Sequence, residues 1–211
     1  MYIPKHFDEP RIDVMQELMR HYPLATLVTH SQAGINANHI PLHLSELPLP
    51  FGVLRGHVAR SNPIWLDLTA NVEVLVIFQG PNAYISPSWY ATKQETQKVV
   101  PTWNYAVAHA YGSLRMIDDA IWVRKHLEDL TNQREAAFQE PWAVSDAPDE
   151  FIEKLIEKIV GIEIVITRLS GKWKVSQNQS AENQMGVVNG LNASEQGDAL
   201  AMAALVKSKI A

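Results

Sequence analysis

Within residues 74–105, Tyr84, Trp89, Tyr90, Trp103 and Tyr105 stand among Ser86, Lys93, Thr102 and Asn104. A core strand has no need of that mixture. A site for a flat aromatic ligand with polar edges does. Rings give stacking faces, while hydroxyls, amides and an ammonium meet heteroatoms and any phosphate. The stretch therefore predicts a flavin-type site.

A second group lies upstream in RGHVARSNP, residues 55–63. Ser61 or Asn62 followed by Pro63 reads as a helix start, because such side chains cap free N–H groups and proline suits the first helical position. With Arg60 just before it and His57 and Arg55 on the preceding strand, that N-terminus predicts a phosphate site. An ordinary strand-to-helix turn with surface arginines is the plainer reading, and the aromatic stretch that follows favours phosphate. In residues 35–44, Asn36, Asn38, His39 and His43 give a strand a polar face. The two histidines invite a metal, but Pro41 lies between them and no third ligand is near, so the face is read as lining a site. No metal is expected.

The elements that must position these residues follow from periodicity. Residues 10–22 read as a helix ended by Pro23, and 24–29 with 35–44 as a hairpin. Residues 52–58 and 71–79 are strands, the latter broken at Gly80-Pro81. Residues 99–117 form a long strand with Gly112 as a bulge. Trp103 and Tyr105 share one face of it and Thr102 and Asn104 the other. Residues 118–135 form the clearest helix, with an acidic start, Val123, Leu127 and Leu130 inward, and His126 at the surface. A second helix covers 149–158. Residues 159–169 are the last major strand, which Ser170-Gly171 turns into a hairpin with 172–177; helical segments at 186–191 and 198–208 close the chain. The fold predicted is mainly β with peripheral helices (α+β): an antiparallel barrel, residues 1–211 as one domain with 192–211 as a helical tail.

Composition narrows the function. The 211 residues carry a formal charge of −5 and no cysteine, which removes disulfides, thiolate catalysis and Cys-ligated metals. The basic residues are scattered, which speaks against direct duplex recognition. No leader and no apolar run of membrane length is seen, so a cytoplasmic protein without membrane contact is expected. No G-x-G-x-x-G, Walker lysine, G-x-S-x-G or H-E-x-x-H is found, so no catalytic residue is nominated.

Taken in order, YIPKHF (2–7), ANHIPLHL (37–44), RGHVARSNPIW (55–65), FQGPNAYISPSWY (78–90), KVVPTWNYAVAHAYG (98–112), VGIEIVI (160–166) and GKWKVSQN (171–178) resemble the PaiB-like family. Its members are described as FMN-binding negative transcriptional regulators. The resemblance implies an FMN-binding split β-barrel and a homodimer with flavin between the subunits. It implies phosphate and ribityl contacts from His57, Arg60, Ser61 and Asn62, with His39 on the neighbouring polar face. Tyr84, Ser86, Trp89, Tyr90 and Lys93, with Thr102, Trp103 and Asn104, would flank the ring system. Lys172, Trp173 and Gln177 would reach in from the partner on the late hairpin. Family members usually carry histidine where this chain has Asn82, an exchange that keeps hydrogen bonding but removes a group able to titrate near neutrality. DNA is a partner by family description only. The alternatives are a flavin-dependent oxidoreductase, a haem-binding split barrel using His39, His43 or His109, and a barrel with an empty remnant site.

Overall fold

Apolar, β-branched runs at 72–78 and 159–166 and the alternating run at 102–117 build the three longest strands of the computed structural model, which describes residues 1–31, 34–64, 72–195 and 197–210. In chain order the elements are β1 (Asp8–Glu9), α1 (Ile12–His21), β2 (Leu24–Ser31), β3 (Gly34–Pro41), β4 (His43–Ser45), β5 (Val53–Ala59), β6 (Val72–Ile85), α2 (Lys93–Thr96), β7 (Thr102–Ile117), α3 (Ala120–Glu135), α4 (Asp149–Ile156), β8 (Ile159–Lys174), α5 (Ala181–Asn192) and α6 (Ala199–Lys207). Among the described residues the strands form one eight-stranded antiparallel sheet, ordered β3-β2-β6-β7-β8-β5-β4, with β1 on β8. The expected mainly-β class with peripheral helices is what is found. The helix expected from Ser61-Asn62-Pro63 and the 31–34 turn fall largely outside the described residues.

The chain divides into two compact units interleaved in sequence. The first comprises residues 1–21, 79–108 and 170–211, the second residues 22–78 and 109–169. The first buries Met19, Ile85, Val175, Leu191 and Met202; the second buries Leu27, Leu54, Val76, Phe78, Ile162 and Ile164. Each such side chain contributes about 1.5–3 kcal/mol on leaving water. In the second unit a further cluster of Val123, Val144, Ile152 and Ile156, with Trp122 and Leu127 against it, packs α3 and α4 together.

Two expected chain breaks are absent, for one reason. Gly80 lies within β6, not at its end: a Cβ there would meet Leu18 Cδ1 at 2.8 Å and the Ala106 carbonyl at 3.2 Å. Its role is to let α1 approach. The β2–β6 pairing over Leu75–Ile77 stops short of Pro81, so that stretch does not need its missing N–H. Gly171 likewise lies within β8, which runs unbroken from Ile159 to Lys174, so the expected late hairpin does not exist. Gly171 pairs with Glu9, and a Cβ on it would meet the Glu9 carbonyl at 2.8 Å. Gly112 lies within β7 at a close approach to β8. Its Cβ would fall 2.2 Å from the Val165 carbonyl oxygen, a backbone atom that cannot swing aside. Gly112→Ala is therefore expected to cost about 1–3 kcal/mol of stability or more, read as a lowered midpoint in urea unfolding.

Candidate functional site

The predicted cofactor-binding residues fall into two groups, one in each unit. In the second unit, β5 presents Val53, Arg55 and His57 on one face, and β4 and β8 lie on either side of it. Arg55 pairs in register with His43 on β4 and Glu163 on β8, and His57 pairs with Gly161. Helix α3 lies across this face. The Trp122 ring sits on Gly161, where a Cβ would meet ring carbon Cζ3 at 2.4 Å. Trp122 stacks on His126 with centroids 5.5 Å apart and planes at 19°. His126 Nε2 lies 3.3 Å from His57 Nδ1, and Gln133 Oε1 lies 2.7 Å from His43 Nδ1. Beneath them Glu163 accepts from Arg55 Nε at 3.0 Å and from Arg115 Nη2 at 2.7 Å.

His126 corrects an expectation: it is buried (3% exposed), not at the surface. The signal was present, because residues 122, 126 and 133 recur on one side of a helix, adjoining the stripe of Val123 and Leu130. A polar residue within an apolar helical face needs a partner across the interface, and only the fold reveals that the partner is His57. Burial first, then the neighbouring His57, His43 and Arg55 charges, lower the His126 pKa to about 4, with Asp129 opposing; burial alone lowers that of His57. The Nδ1 of His126 is buried without a hydrogen-bond partner.

Arg60, the leading phosphate candidate, is engaged within its own unit. Its Nη1 and Nη2 donate to the two Asp118 carboxylate oxygens at 3.0 and 2.6 Å, and Nε donates to the Glu157 carbonyl at 2.8 Å. That hydrogen-bonded pair raises the Arg60 pKa and lowers that of Asp118. Arg60 borders a cleft of about 430 Å³ that also presents Arg124 and the carboxylates of Asp118, Asp119, Glu153 and Glu157. A phosphate there would meet more negative than positive charge. Asn62 Nδ2 donates to Asn38 Oδ1 at 2.9 Å, while Asn62 Oδ1 accepts from the Ile64 N–H at 3.0 Å. Ser61 is exposed, and His39 on the neighbouring strand meets Thr26 Oγ1 at 3.1 Å. Leu42 separates β3 from β4, so His39 and His43 do not lie on one continuous strand.

In the first unit, neighbouring strands β6 and β7 place Tyr84 and Trp103 edge to face, centroids 6.1 Å apart. Both stay open to solvent, at 40% and 55% exposure. Beside them Lys174, at the end of β8, donates to the Trp103 carbonyl at 2.7 Å and to Thr102 Oγ1. Partial burial, and then the Lys172 charge, lower the Lys174 pKa. Lys174 was not among the residues predicted from sequence. Asn104, on the inner face of β7, is buried and donates to Ser176 Oγ at 2.9 Å, and its Oδ1 has no partner.

The remaining predicted residues support this wall from within. Ser86 Oγ accepts the Ser88 N–H at 3.2 Å and caps the turn at Pro87–Trp89, and Lys93 Nζ donates to Ser88 Oγ at 3.1 Å. Tyr90 is buried, which raises its phenol pKa. Trp173 is buried too, and Lys172 donates to the Tyr2 carbonyl at 3.2 Å with its ammonium 5.3 Å from the Tyr105 ring centre. Gln177 donates to the Trp173 carbonyl and accepts the Val175 N–H at 2.7 Å. All three bond within their own unit, and β8 carries two of them without a projecting hairpin.

Residues 1–168 match the family described as "Putative FMN-binding domain". The chain belongs to that family. An uncharacterized protein of Emericella nidulans is 39% identical over 225 residues, covering 90% of each chain. The Bacillus subtilis protease synthase and sporulation protein PAI 2 is 31% identical, covering 100% of this chain and 98% of its own. Among solved structures, an FAD and heme binding protein of Mycobacterium smegmatis superposes with a TM-score of 0.58 at 16% identity, over 79% of this chain and 73% of its own. This chain thus has a split-barrel fold like that of the Mycobacterium smegmatis protein. No helix among the described residues is long and apolar enough to cross a membrane.

The buried imidazole pair makes stability depend on pH. The unfolded chain takes up a proton at His126 near its ordinary value of 6.5, the folded chain only near 4. Folding is therefore favoured in full above pH 6.5 and progressively lost as pH falls towards 4, by about 3 kcal/mol, with His57 acting in the same direction. Urea unfolding between pH 7 and 4 is expected to show this slope, and His126→Leu to flatten it.

Proposed function

We propose that this chain binds FMN as a homodimer and serves as a flavin-dependent regulator of the PaiB type. The observation that carries the reading is the Tyr84–Trp103 pair, a solvent-open aromatic surface on paired strands with the Lys174 ammonium beside it. Large exposed rings next to one another mark a surface to be covered. An isoalloxazine ring and a second subunit cover it together. The donor set fits the group: rings for its faces, Lys174, Lys93 and Ser88 for its carbonyls and phosphate. The description of the matching family, "Putative FMN-binding domain", supports FMN as the ligand.

FMN supplies a ring that accepts and returns electrons. The residues of this chain bind and orient it: Tyr84 and Trp103 offer stacking faces, and Lys174 holds positive charge at the edge of the wall. Arg60 reaches a phosphate only by exchanging Asp118 for it, so the second-unit group takes a lesser part than its sequence pattern suggests. Asn82 donates to Asp198 through its backbone N–H at 3.1 Å and Nδ2 at 3.2 Å. That is a structural role, and it favours ligand sensing over proton-transfer chemistry at this position. The Bacillus subtilis relative is named a protease synthase and sporulation protein, which also supports regulation. With a formal charge of −5, regulation through a protein partner is favoured over direct duplex binding.

Freshly purified protein is expected to show a flavin absorbance spectrum, to release FMN on denaturation and to sediment at twice the chain mass. Trp103→Ala should weaken FMN binding about tenfold, the equivalent of one lost stacking contact. A protein without flavin absorbance that takes up no added FMN overturns the proposal.

A further inference from the structure

The segment that carries Tyr84, Ser86, Trp89, Tyr90 and Lys93 does not support itself. After β6 ends at Ile85 the chain makes one short turn at Pro87–Trp89 and the four-residue helix α2, and over residues 86–100 only Tyr90 is buried. So short a helix has too few internal hydrogen bonds to hold its shape. Its anchors lie about a hundred residues further on, in α5 and α6.

Three contacts fasten it. Gly186 and Gly190, one turn apart on α5, form a groove that receives Trp89: a Cβ on Gly186 would fall 2.0 Å from the Trp89 carbonyl oxygen, and one on Gly190 2.2 Å from ring carbon Cδ2. Asn183 on the same helix accepts the Thr92 N–H at 3.1 Å and donates through Nδ2 to Thr92 Oγ1 at 3.0 Å. On the other side of the segment, Asp198 at the start of α6 receives both hydrogen bonds of Asn82, close before Tyr84 on β6. Helix α6 is itself tied down beyond its last turn, where Lys209 donates to the buried Glu9 at 3.3 Å. Asn183 is buried and Thr92 half-buried, so their exchange is not loosened by water. All of these residues belong to the first unit, and α5 and α6 lie beyond residue 168, where the match to the family ends.

We propose that the α5–α6 pair is the positioning element of the flavin wall. Asp198 and Asn183 are its positioning residues, and docking of the pair is thermodynamically coupled to flavin binding. The inference rests on the reading of Tyr84 and Trp103 as that wall. It assigns Asn82 a purpose: its side-chain amide adds a second bond to the one its backbone N–H makes to Asp198. Coupling is reciprocal, so what the helices do for the flavin, the flavin must do for the helices.

The experiment uses the full chain. FMN affinity is measured by fluorescence titration for wild type, Asp198→Ala, Asn183→Ala and Asp198→Asn, and hydrogen exchange over 181–207 is followed in wild type with and without saturating FMN. The alanine variants are expected to bind about tenfold more weakly, within the usual range of coupling between sites. Asp198→Asn, which keeps an oxygen acceptor for Asn82, should stay within about twofold of wild type. Exchange over 181–207 should slow when FMN is added, a response that a merely structural helix pair would not give. If wild type binds FMN, yet exchange over 181–207 is unchanged and the alanine variants keep full affinity, the coupling is overturned and the flavin reading stands. If wild type binds no FMN, both fall.

Discussion

The unbroken length of strands β6, β7 and β8 is the constraint on which the rest of this structure depends. These strands run for 14, 16 and 16 residues, well beyond the usual strand, and each contributes to both compact units. Such lengths are kept only if nothing along them forces a turn or blocks a neighbour. That is why glycine occurs within them at Gly80, Gly112, Gly161 and Gly171: each sits where a backbone or a large side chain comes closer than a Cβ would allow. In many sequences such glycines mark turns. Here they mark contacts.

The sheet carries polar groups where an apolar layer would have sufficed, and three of them are matched by residues distant in sequence. Glu163 receives two arginines, His57 receives His126, and Glu9 receives Arg11 at 2.6 Å and Lys209 at 3.3 Å. A buried charge or imidazole without its partner costs more than the pair contributes, so these contacts select one arrangement of helices over others rather than adding much stability. Helix α3 illustrates this. Val123 and its neighbours supply its apolar burial, while His126 and Gln133 decide which way round it sits on β4 and β5.

The proposed flavin wall follows from the same arrangement. Strand pairing sets Tyr84 beside Trp103, and the end of β8 brings Lys174 to them. The loop that completes the wall is short of internal bonds and borrows its rigidity from α5 and α6. The proposed surface stands on paired strands, and the helix pair that holds its edge is itself anchored by the buried Val187, Leu191, Met202 and Val206.

The sequence by itself determined the element types, the antiparallel mainly-β class, the family and the aromatic stretch at 74–105. Element types and class depend on periodicity and local residue type, read over a few neighbours, while the family rests on the resemblance of motifs along the chain. What it left undecided was who bonds to whom. Arg60 looked free to take a phosphate until Asp118, 58 residues away, occupied it. His126 looked solvated until His57, 69 residues away, met it, and Asn82 looked like a loss until Asp198, 116 residues away, accepted from it. The expected hairpin at Ser170-Gly171 failed in the same way, because a glycine needed for a turn and one needed for close approach to Glu9 are the same residue in a sequence. Hydrogen bonds act over about 3 Å in space, at any separation along the chain. Only the tertiary structure brings such partners within reach, and it alone decided which of the candidate residues are engaged by distant parts of the chain.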